Sequence, residues 1–299
     1  MSIESGKTPT IGIIGAGRVG TALAVSLARC GYSIAAVYSR TPDHAVFLAA
    51  RVGSQPATSP EAVIEAADLT LLTVSDDLIE IITNETAQKL TKTSETPKAV
   101  VHTSGIHTRE SLTQFATNGL MTGSLHPAIP VASDEPTQFE GGAFALEADH
   151  PLLFDWLEQI VHAIGGRPYR LAAEQKALYH TALVMASNYT VSLYAFAEHL
   201  LTTVGLSTAD ADGILNALLQ ATVENLKHQG VPNALTGPLV RGDTGTLQRH
   251  LQALQQDAPE GVKAYRTLAR LTYPLLSARG VLLDPIEQRL QQDESSWLE

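Results

Sequence analysis

Two hydrophobic patterns alternate along the first 171 residues, and each pattern predicts a different element. Between most of the apolar runs lie segments in which apolar residues recur at helical spacing. Runs such as DLTLLTV lack polar alternation, which is typical of parallel strands that are covered on both faces. We therefore predict an α/β domain with a doubly wound, Rossmann-type sheet over residues 1–171. The predicted strands lie at about 10–14, 33–38, 68–74, 98–104, 121–127, 142–148 and 167–171.

The pattern changes at about Ala172, and every later element is predicted to be helical. We expect an all-α C-terminal domain over residues 172–299, packed on the first domain with a cleft between them. Its helices are predicted from about 172 to 204, 207 to 228, 244 to 256 and 259 to 278, with a Gly/Pro loop at 230–243. Residues 177–197 contain no Asp, Glu, Lys or Arg, but the polar side chains among them favour a central bundle helix over a membrane span.

Composition excludes several classes of protein. The formal net charge of −11 over 299 residues repels polyanions, so we expect no nucleic-acid partner. A single cysteine, Cys30, cannot form an internal disulfide, and the opening residues MSIESGKTPT are polar and unlike a signal segment. We therefore expect a cytoplasmic protein that does not bind membranes.

A glycine-rich turn follows the first predicted strand. Its G-x-G-x-x-G frame opens a predicted helix in a βα unit, which is the context that dinucleotide binding requires. The first glycine permits the tight turn, the second lets a pyrophosphate approach the backbone, and the third lets helix and strand pack closely. The predicted cofactor-binding residues of the turn are Gly15, Ala16, Gly17, Arg18, Val19 and Gly20.

The end of the second strand indicates which dinucleotide binds. Ser39 and Arg40 stand where an acidic residue would accept hydrogen bonds from the ribose of NAD. A hydroxyl and a guanidinium favour the additional phosphate of NADP, and Arg18 adds a second cation. The alternative is that Arg40 is an ordinary solvated surface residue. Val74 and Ser75, at the end of the strand predicted at 68–74, are predicted to line the cofactor.

Candidate reacting groups follow the next two strands. Ser104, Gly105 and His126 are predicted to lie at the carboxyl edge of the sheet, where such folds bind ligands. His126 could donate the proton that reduction of a carbonyl requires, or it could be satisfied by a backbone carbonyl. His102 and His107 lack a completing cluster of Cys or carboxylate ligands, so we expect no metal.

The first helix of the C-terminal domain supplies further candidates. At about 100° per residue, one stripe contains Lys176, His180, Leu183, Ser187, Val191 and Tyr194, whereas Asn188 lies about 120° from Lys176. A lysine on an apolar helix is costly unless it meets an anion or a carbonyl, which favours a substrate cleft. The alternative places Lys176 in an exposed first turn and His180 in the core. In the later loop, Arg241 either clamps a substrate carboxylate or is solvated in a connector.

Seven segments together resemble a known family. They are GAGRVG, TVSDDLI, HTSG, GSLHP, KALYHTALVMASN, LTGPLVRGD and AYRTLARLTYPLLSARG. The chain resembles the bacterial family that joins a Rossmann-like domain to a "domain of unknown function 2520". That family lies within the wider superfamily of 6-phosphogluconate and 3-hydroxyisobutyrate dehydrogenases, ketopantoate reductase and pyrroline-5-carboxylate reductase. The resemblance covers nearly the whole chain, and it implies a helical domain similar to that of 6-phosphogluconate dehydrogenase and a homodimer formed through that domain.

The resemblance also implies roles for individual residues. Lys176 matches the lysine that handles the carbonyl or hydroxyl group in the hydroxyacid dehydrogenases, but His180 stands where those enzymes carry asparagine. Ser104 resembles the serine that binds a substrate carboxylate, and Ser187, Asn188 and Arg241 are further candidates for substrate binding. The Lys-x-x-x-His pair is absent from pyrroline-5-carboxylate reductase, so pyrroline-5-carboxylate is a less favoured substrate for this chain.

The sequence thus predicts an NADP-dependent oxidoreductase acting on a CH–OH/C=O group of a small, ketopantoate-like 2-oxo or 3-oxo acid. Lys176, His180 and His126 remain alternative proton donors. The competing hypothesis is a sensor or regulatory protein that binds NADP without turnover, because fold does not determine function.

Overall fold

The computed structural model describes residues 8–90, 96–131 and 139–291. Its first part contains one eight-stranded sheet with the order β3-β2-β1-β4-β5-β6-β7-β8. The first six strands are parallel, β7 runs antiparallel to β6, and β8 is parallel to β7. The strands are β1 (Ile11–Ile14), β2 (Ile34–Tyr38), β3 (Gln55–Pro56), β4 (Leu69–Leu72), β5 (Ala99–His102), β6 (Met121–Pro127), β7 (Ala143–Ala148) and β8 (Arg167–Arg170).

Six α-helices accompany these strands. They are α1 (Arg18–Arg29), α2 (Pro42–Val52), α3 (Pro60–Ala66), α4 (Asp76–Ala87), α5 (Thr113–Thr117) and α6 (Pro151–Ala163). Two of them have capping residues that their sequences favour, since Gly53 ends α2 in the left-handed conformation and the Ser59 side chain accepts a hydrogen bond from Ala62 N at the start of α3. A 3-10 turn, Arg109–Leu112, precedes the short α5.

The sheet is covered on both faces, which explains the unalternating strands. Ile11 and Ile13 of β1 belong to the apolar core shared with α1, α2 and α6, whereas Ile14 belongs to the core shared with α3, α4 and α5. Every residue of β1, β4 and β5 is buried. A strand that buries both faces gains from apolar side chains at every position. The predicted fold class, a Rossmann-type sheet followed by an all-helical region, is therefore confirmed.

The chain divides into two compact units, of which the first ends at Ser187 and the second begins at Asn188. The sequence placed this change at residue 172. After a 3-10 turn, Ala173–Gln175, the helix α7 (Lys176–Ala186) belongs to the first unit, because Lys176 is buried there among side chains of the sheet. The prediction of one helix up to Val204 was wrong. Ser187 has φ −110° and ψ −70°, and short polar side chains such as Ser187 and Asn188 compete with the helical backbone for hydrogen bonds.

The second unit is helical. Its helices are α8 (Asn188–Thr203), α9 (Thr208–Gln229), α10 (Thr244–Asp257), α11 (Gly261–Leu271), α12 (Tyr273–Ala278) and α13 (Asp284–Gln291). Leu247, Leu251 and Leu254 share one face of α10 and form part of its core. The single helix predicted for 259–278 was also wrong, because Pro274 cannot continue a helix and the chain restarts there as α12. The sequence analysis missed α13 altogether. Among the helices of the described residues, none combines the length and apolarity needed to cross a membrane.

Candidate active site

The glycine-rich turn after β1 is tightly built. Gly15 has φ +110°, and a Cβ atom there would lie 2.7 Å from the carbonyl oxygen of Thr73. The Thr73 hydroxyl donates to the carbonyl oxygen of Gly15 at 2.6 Å. A Cβ atom on Gly20 would fall 2.0 Å from that same carbonyl oxygen, so α1 and the turn pack without a side chain between them. The turn therefore requires glycine at both positions.

The start of α1 is open to an anion. A Cβ atom on Gly17 would have no neighbour within 4 Å, and no side chain caps the helix at this residue. The first turn contains no acidic side chain, and Arg18 is exposed. Uncapped N–H groups and the positive end of the helix dipole favour phosphate oxygens at such a position. Ala16 and Val19 are partly buried beside it.

A cleft of about 300 Å³ adjoins the turn. Gly15, Tyr38, Arg40 and Val74 are among its lining residues, so the predicted residues from the ends of β1, β2 and β4 meet there. Ser39 is partly buried next to the exposed Arg40, and Ser75 is exposed at the start of α4. The same cleft is lined by Glu61 and Lys89, whose carboxylate and ammonium lie 3.3 Å apart. An open helix start and a glycine turn beside a cleft fit a dinucleotide.

His102 holds the loop that follows β5. Its ring is fully buried, its Nε2 lies 3.0 Å from the carbonyl oxygen of Thr108, and its Nδ1 accepts a hydrogen bond from Ser104 N at 3.2 Å. Burial, and then the charge of Lys176, lower the His102 pKa to about 3. The neutral ring with its proton on Nε2 satisfies both contacts. His102 thus stabilises the conformation of the loop that follows β5.

Ser104 is buried in this loop. Its Oγ accepts hydrogen bonds from Ile106 N at 3.2 Å and from His107 N at 3.1 Å. Because both contacts use the oxygen as acceptor, the hydroxyl proton remains for donation to another group. This arrangement suits a serine that binds a carboxylate. Among the described residues, no three His, Cys, Asp or Glu side chains gather as metal ligands.

Two histidine rings pack against Gly105, and a tyrosine contacts one of them. The rings of His126 and His180 meet edge to face with centroids 5.9 Å apart, and His126 Nδ1 lies 3.1 Å from the Tyr179 hydroxyl. A Cβ atom on Gly105 would lie 2.6 Å from His180 Cδ2 and 2.8 Å from His126 Nε2. Glycine therefore allows both rings to approach the backbone. The bonding partner of His126 is a side chain rather than the backbone carbonyl considered from the sequence.

Burial keeps His126 and Tyr179 in their uncharged forms. Burial lowers the pKa of His126 to about 4, with the charges of His180 and Lys176 acting in the same direction and Asp76 opposing them. Burial raises the pKa of Tyr179 to about 12. At neutral pH the His126–Tyr179 pair is therefore a neutral imidazole bonded to a neutral phenol.

Lys176 is buried rather than exposed, with only 2% of its surface accessible. Its Nζ donates to Ser124 Oγ at 2.7 Å and lies 3.5 Å from Glu147 Oε2. Burial lowers the Lys176 pKa, and Glu147 and Asp76 oppose that shift. Glu147 also accepts a hydrogen bond from Arg109 N at 3.1 Å. The structure thus overturns the alternative of an exposed lysine and gives Lys176 a buried carboxylate partner that the sequence analysis missed.

The remaining predicted residues lie elsewhere. Ser187 is exposed, eleven residues from Lys176 and so about 16 Å further along α7. Asn188 begins α8 in the second unit and is exposed, so the stripe predicted from Lys176 to Tyr194 is not carried by one helix. Arg241 is exposed at the end of a 3-10 turn, Leu239–Arg241. In the same loop, Asp243 caps α10 by accepting a hydrogen bond from Thr246 N at 2.9 Å.

The fold and the glycine turn define a two-domain protein of the dinucleotide-binding class. Residues 4–127 match the family model of the Rossmann-like domain. Residues 143–272 match the model described as "Domain of unknown function (DUF2520)". The two domains occur here in the order that is typical of NADP-binding reductases.

Solved structures share the fold over most of their length. BF3122 from Bacteroides fragilis, provisionally named an NADP oxidoreductase, is 26% identical, with 88% of this chain and 96% of that chain covered and a TM-score of 0.72. A pyrroline-5-carboxylate reductase from Coxiella burnetii is 18% identical, with 91% and 96% covered and a TM-score of 0.61. A reductive aminase from Aspergillus terreus, in complex with NADPH4, cyclohexanone and allyl amine, is 16% identical, with 97% and 95% covered and a TM-score of 0.61. No curated protein matches the sequence.

Proposed function

We propose that the protein is an NADPH-dependent reductase that transfers a hydride to the carbonyl carbon of a small 2-oxo or 3-oxo acid, with a ketopantoate-like acid as the best single guess. The observation that carries this proposal is the cluster in which His126 contacts both Tyr179 and His180 and packs with His180 against Gly105. In the strand order β1-β4-β5-β6, three spacings of about 4.8 Å separate the glycine turn from β6, roughly 14 Å in all. Cofactor-binding and proton-donating groups thus share one edge of the sheet, where such folds bind their ligands.

The bound cofactor would supply the hydride from its nicotinamide ring. The glycine turn and the start of α1 would hold the pyrophosphate, and Ser39 and Arg40 would bind the phosphate that distinguishes NADP from NAD. Val74 and Ser75 would line the cofactor. Support comes from the exposed guanidinium of Arg40 in the cleft and from the open helix start at Gly17.

Ser104 would donate its free hydroxyl proton to the substrate carboxylate. Lys176 would act as a fixed positive charge behind the site rather than as the proton donor, because its ammonium is already bonded to Ser124 and Glu147. His180 and His126 pack against Gly105 at the carboxyl edge of the sheet and, unlike Lys176, have no carboxylate partner among the described residues that holds them away from a substrate. The predicted roles of Ser187, Asn188 and Arg241 in substrate binding stay predictions.

The compared proteins support a reductase and widen the range of substrates to be tested. BF3122 is named for NADP, and the reductive aminase was crystallised with its cofactor and an amine. The names of the reductive aminase and of pyrroline-5-carboxylate reductase point to reduction of C=N bonds. Cyclic imines therefore belong in the same assay as the oxo acids.

The test is NADPH oxidation at saturating cofactor with separate panels of 2-oxo acids, 3-oxo acids and cyclic imines. We expect turnover with an oxo acid and its loss in His126→Gln. The matched control His162→Gln, at an exposed position on α6, should retain the parent rate. Turnover with the imines alone would show that the enzyme reduces a C=N bond rather than the carbonyl group of an oxo acid. A flat response across all three panels would favour a sensor that binds NADP without turnover.

A further inference from the structure

His126 bridges two groups through its two ring nitrogens. Nδ1 lies 3.1 Å from the Tyr179 hydroxyl, and Nε2 packs against Gly105, where a Cβ atom would lie 2.8 Å from it. Tyr179 stands three residues after Lys176 on α7 and is partly exposed. One ring nitrogen is thus bonded to a phenol, and the other lies at the carboxyl edge of the sheet, where such folds bind their ligands.

This arrangement resolves which group supplies the proton, an inference that rests on the proposed function. Hydride addition to a carbonyl carbon leaves the oxygen one proton short of an alcohol. We propose that Tyr179 supplies this proton through His126, whose Nε2–H passes to the substrate oxygen while the Tyr179 Oη–H passes to Nδ1.

The relay balances without a further reactant. Before transfer, His126 carries its proton on Nε2 and Tyr179 is a phenol. Afterwards the substrate is an alcohol, His126 carries its proton on Nδ1, and Tyr179 is a phenolate. When the product leaves, water returns a proton to Nε2 and the Nδ1 proton returns to the phenolate oxygen. Neither side chain gains or loses electrons.

The electrostatic setting agrees with this sequence of transfers. Burial, His180 and Lys176 hold the His126 pKa near 4 against the opposing charge of Asp76, so imidazolium is scarce at neutral pH. A neutral imidazole can give up one proton readily only if it receives another. The Tyr179 pKa of about 12 lies below that of water, about 15.7, and an alkoxide is about as basic as hydroxide. Transfer from Tyr179 to the alkoxide is therefore downhill.

The first test measures the proton on His126 without turnover. In uniformly ¹⁵N-labelled protein at pH 7.5, we expect His126 to be the Nε2–H tautomer, with the signal assigned by its loss in His126→Gln. Tyr179→Phe should remove the hydrogen bond at Nδ1 and shift that resonance. Tyr169→Phe, at an exposed position on β8, should leave it unchanged. A proton fixed on Nδ1 in the parent would overturn the relay.

The second test measures turnover of the oxo acid that the parent reduces fastest. Tyr179→Phe should lower kcat by at least about 100-fold, as expected for loss of an acid catalyst, with KM and NADPH affinity near those of the parent. Tyr169→Phe should keep the parent kcat. The parent kcat should also depend non-linearly on the deuterium content of the solvent, since two protons move together, and a purely structural tyrosine would not produce this dependence.

The two proposals can fail separately. An active parent whose kcat is unchanged in Tyr179→Phe would overturn the relay and leave the reductase intact. A parent inactive on every oxo acid would overturn the reductase, and with it the relay. If Tyr179→Phe does not fold, 3-fluorotyrosine at position 179 keeps the hydroxyl but makes it more acidic. The relay then predicts a change in kcat of more than twofold, and an unchanged kcat would overturn it.

Discussion

Acidification should destabilise the first unit through His102. In the neutral ring, Nδ1 accepts from Ser104 N and Nε2 donates to the carbonyl oxygen of Thr108. A proton added at Nδ1 would face the N–H of Ser104, so that bond would be lost and a charge would be buried. The nearby ammonium of Lys176 opposes the added proton further. The His102 ring is therefore harder to protonate in the folded state than in the unfolded chain.

The size of the effect follows from the two pKa values. The His102 pKa falls from 6.5 to about 3 on folding. Because the folded pKa is lowered, the stabilisation is complete above pH 6.5 and is lost as the pH falls toward 3. Each pH unit within this window lowers the free energy of unfolding by about 1.4 kcal/mol. From pH 7.5 to pH 5.0, His102 alone should account for a loss of about 2 kcal/mol.

Urea unfolding of the parent and of His102→Gln measures this loss. The glutamine amide can still donate to Thr108, but it does not titrate. The fluorescence of Trp156, buried in α6, reports on the first unit, and Trp297, outside the described residues, is replaced by Phe in both proteins. Between pH 7.5 and 5.0, the parent should lose about 2 kcal/mol more than the variant. Equal losses of unfolding free energy in the two proteins would refute the description of His102 as a buried, neutral residue that stabilises its loop.

The remaining predictions concern the cofactor, the packing against Gly105, and assembly. NADP(H) should raise the melting temperature more than NAD(H), since a ligand at about 100 times its Kd stabilises by about 2.7 kcal/mol, and Arg40→Asp should narrow that difference. Equal shifts in the parent would contradict the preference. Gly105→Ala should lower the free energy of unfolding by about 1–3 kcal/mol, because the added Cβ atom would lie 2.6 Å from His180 Cδ2. An unchanged midpoint of urea unfolding would show that the rings can accommodate the added methyl group. We predict a homodimer, because apolar side chains of α9 such as Leu218 and Val223 are exposed. Sedimentation that detects only the 31.9 kDa species at micromolar concentration would contradict this prediction.

Local features of the fold were predictable because their causes are local. The glycine turn, the Ser59 cap and the Asp243 cap each depend on residues within a few positions of one another. The break at Ser187 was harder to predict. The apolar pattern continues through it, and a change of compact unit leaves no mark in helical spacing.

The partners of Lys176 were beyond local reasoning. Glu147 stands opposite Ser124 because β7 pairs antiparallel with β6, and the sequence does not encode the register of two strands in its periodicity. Tyr179, in contrast, carried a usable signal. Lys176, Tyr179 and His180 occupy positions i, i+3 and i+4, which share one helix face, so the phenol could have been named beside the other two.

Deuterium transfer tests the central claim of hydride transfer most directly. The protein is incubated with NADPH deuterated at the reactive C4 position and a pooled set of 2-oxo and 3-oxo acids, and the products are analysed by mass spectrometry. The account predicts a hydroxy acid that carries one deuterium on the former carbonyl carbon, and its absence when His126→Gln replaces the parent. Hydroxy acids without deuterium, or none at all while NADPH is bound, would contradict it.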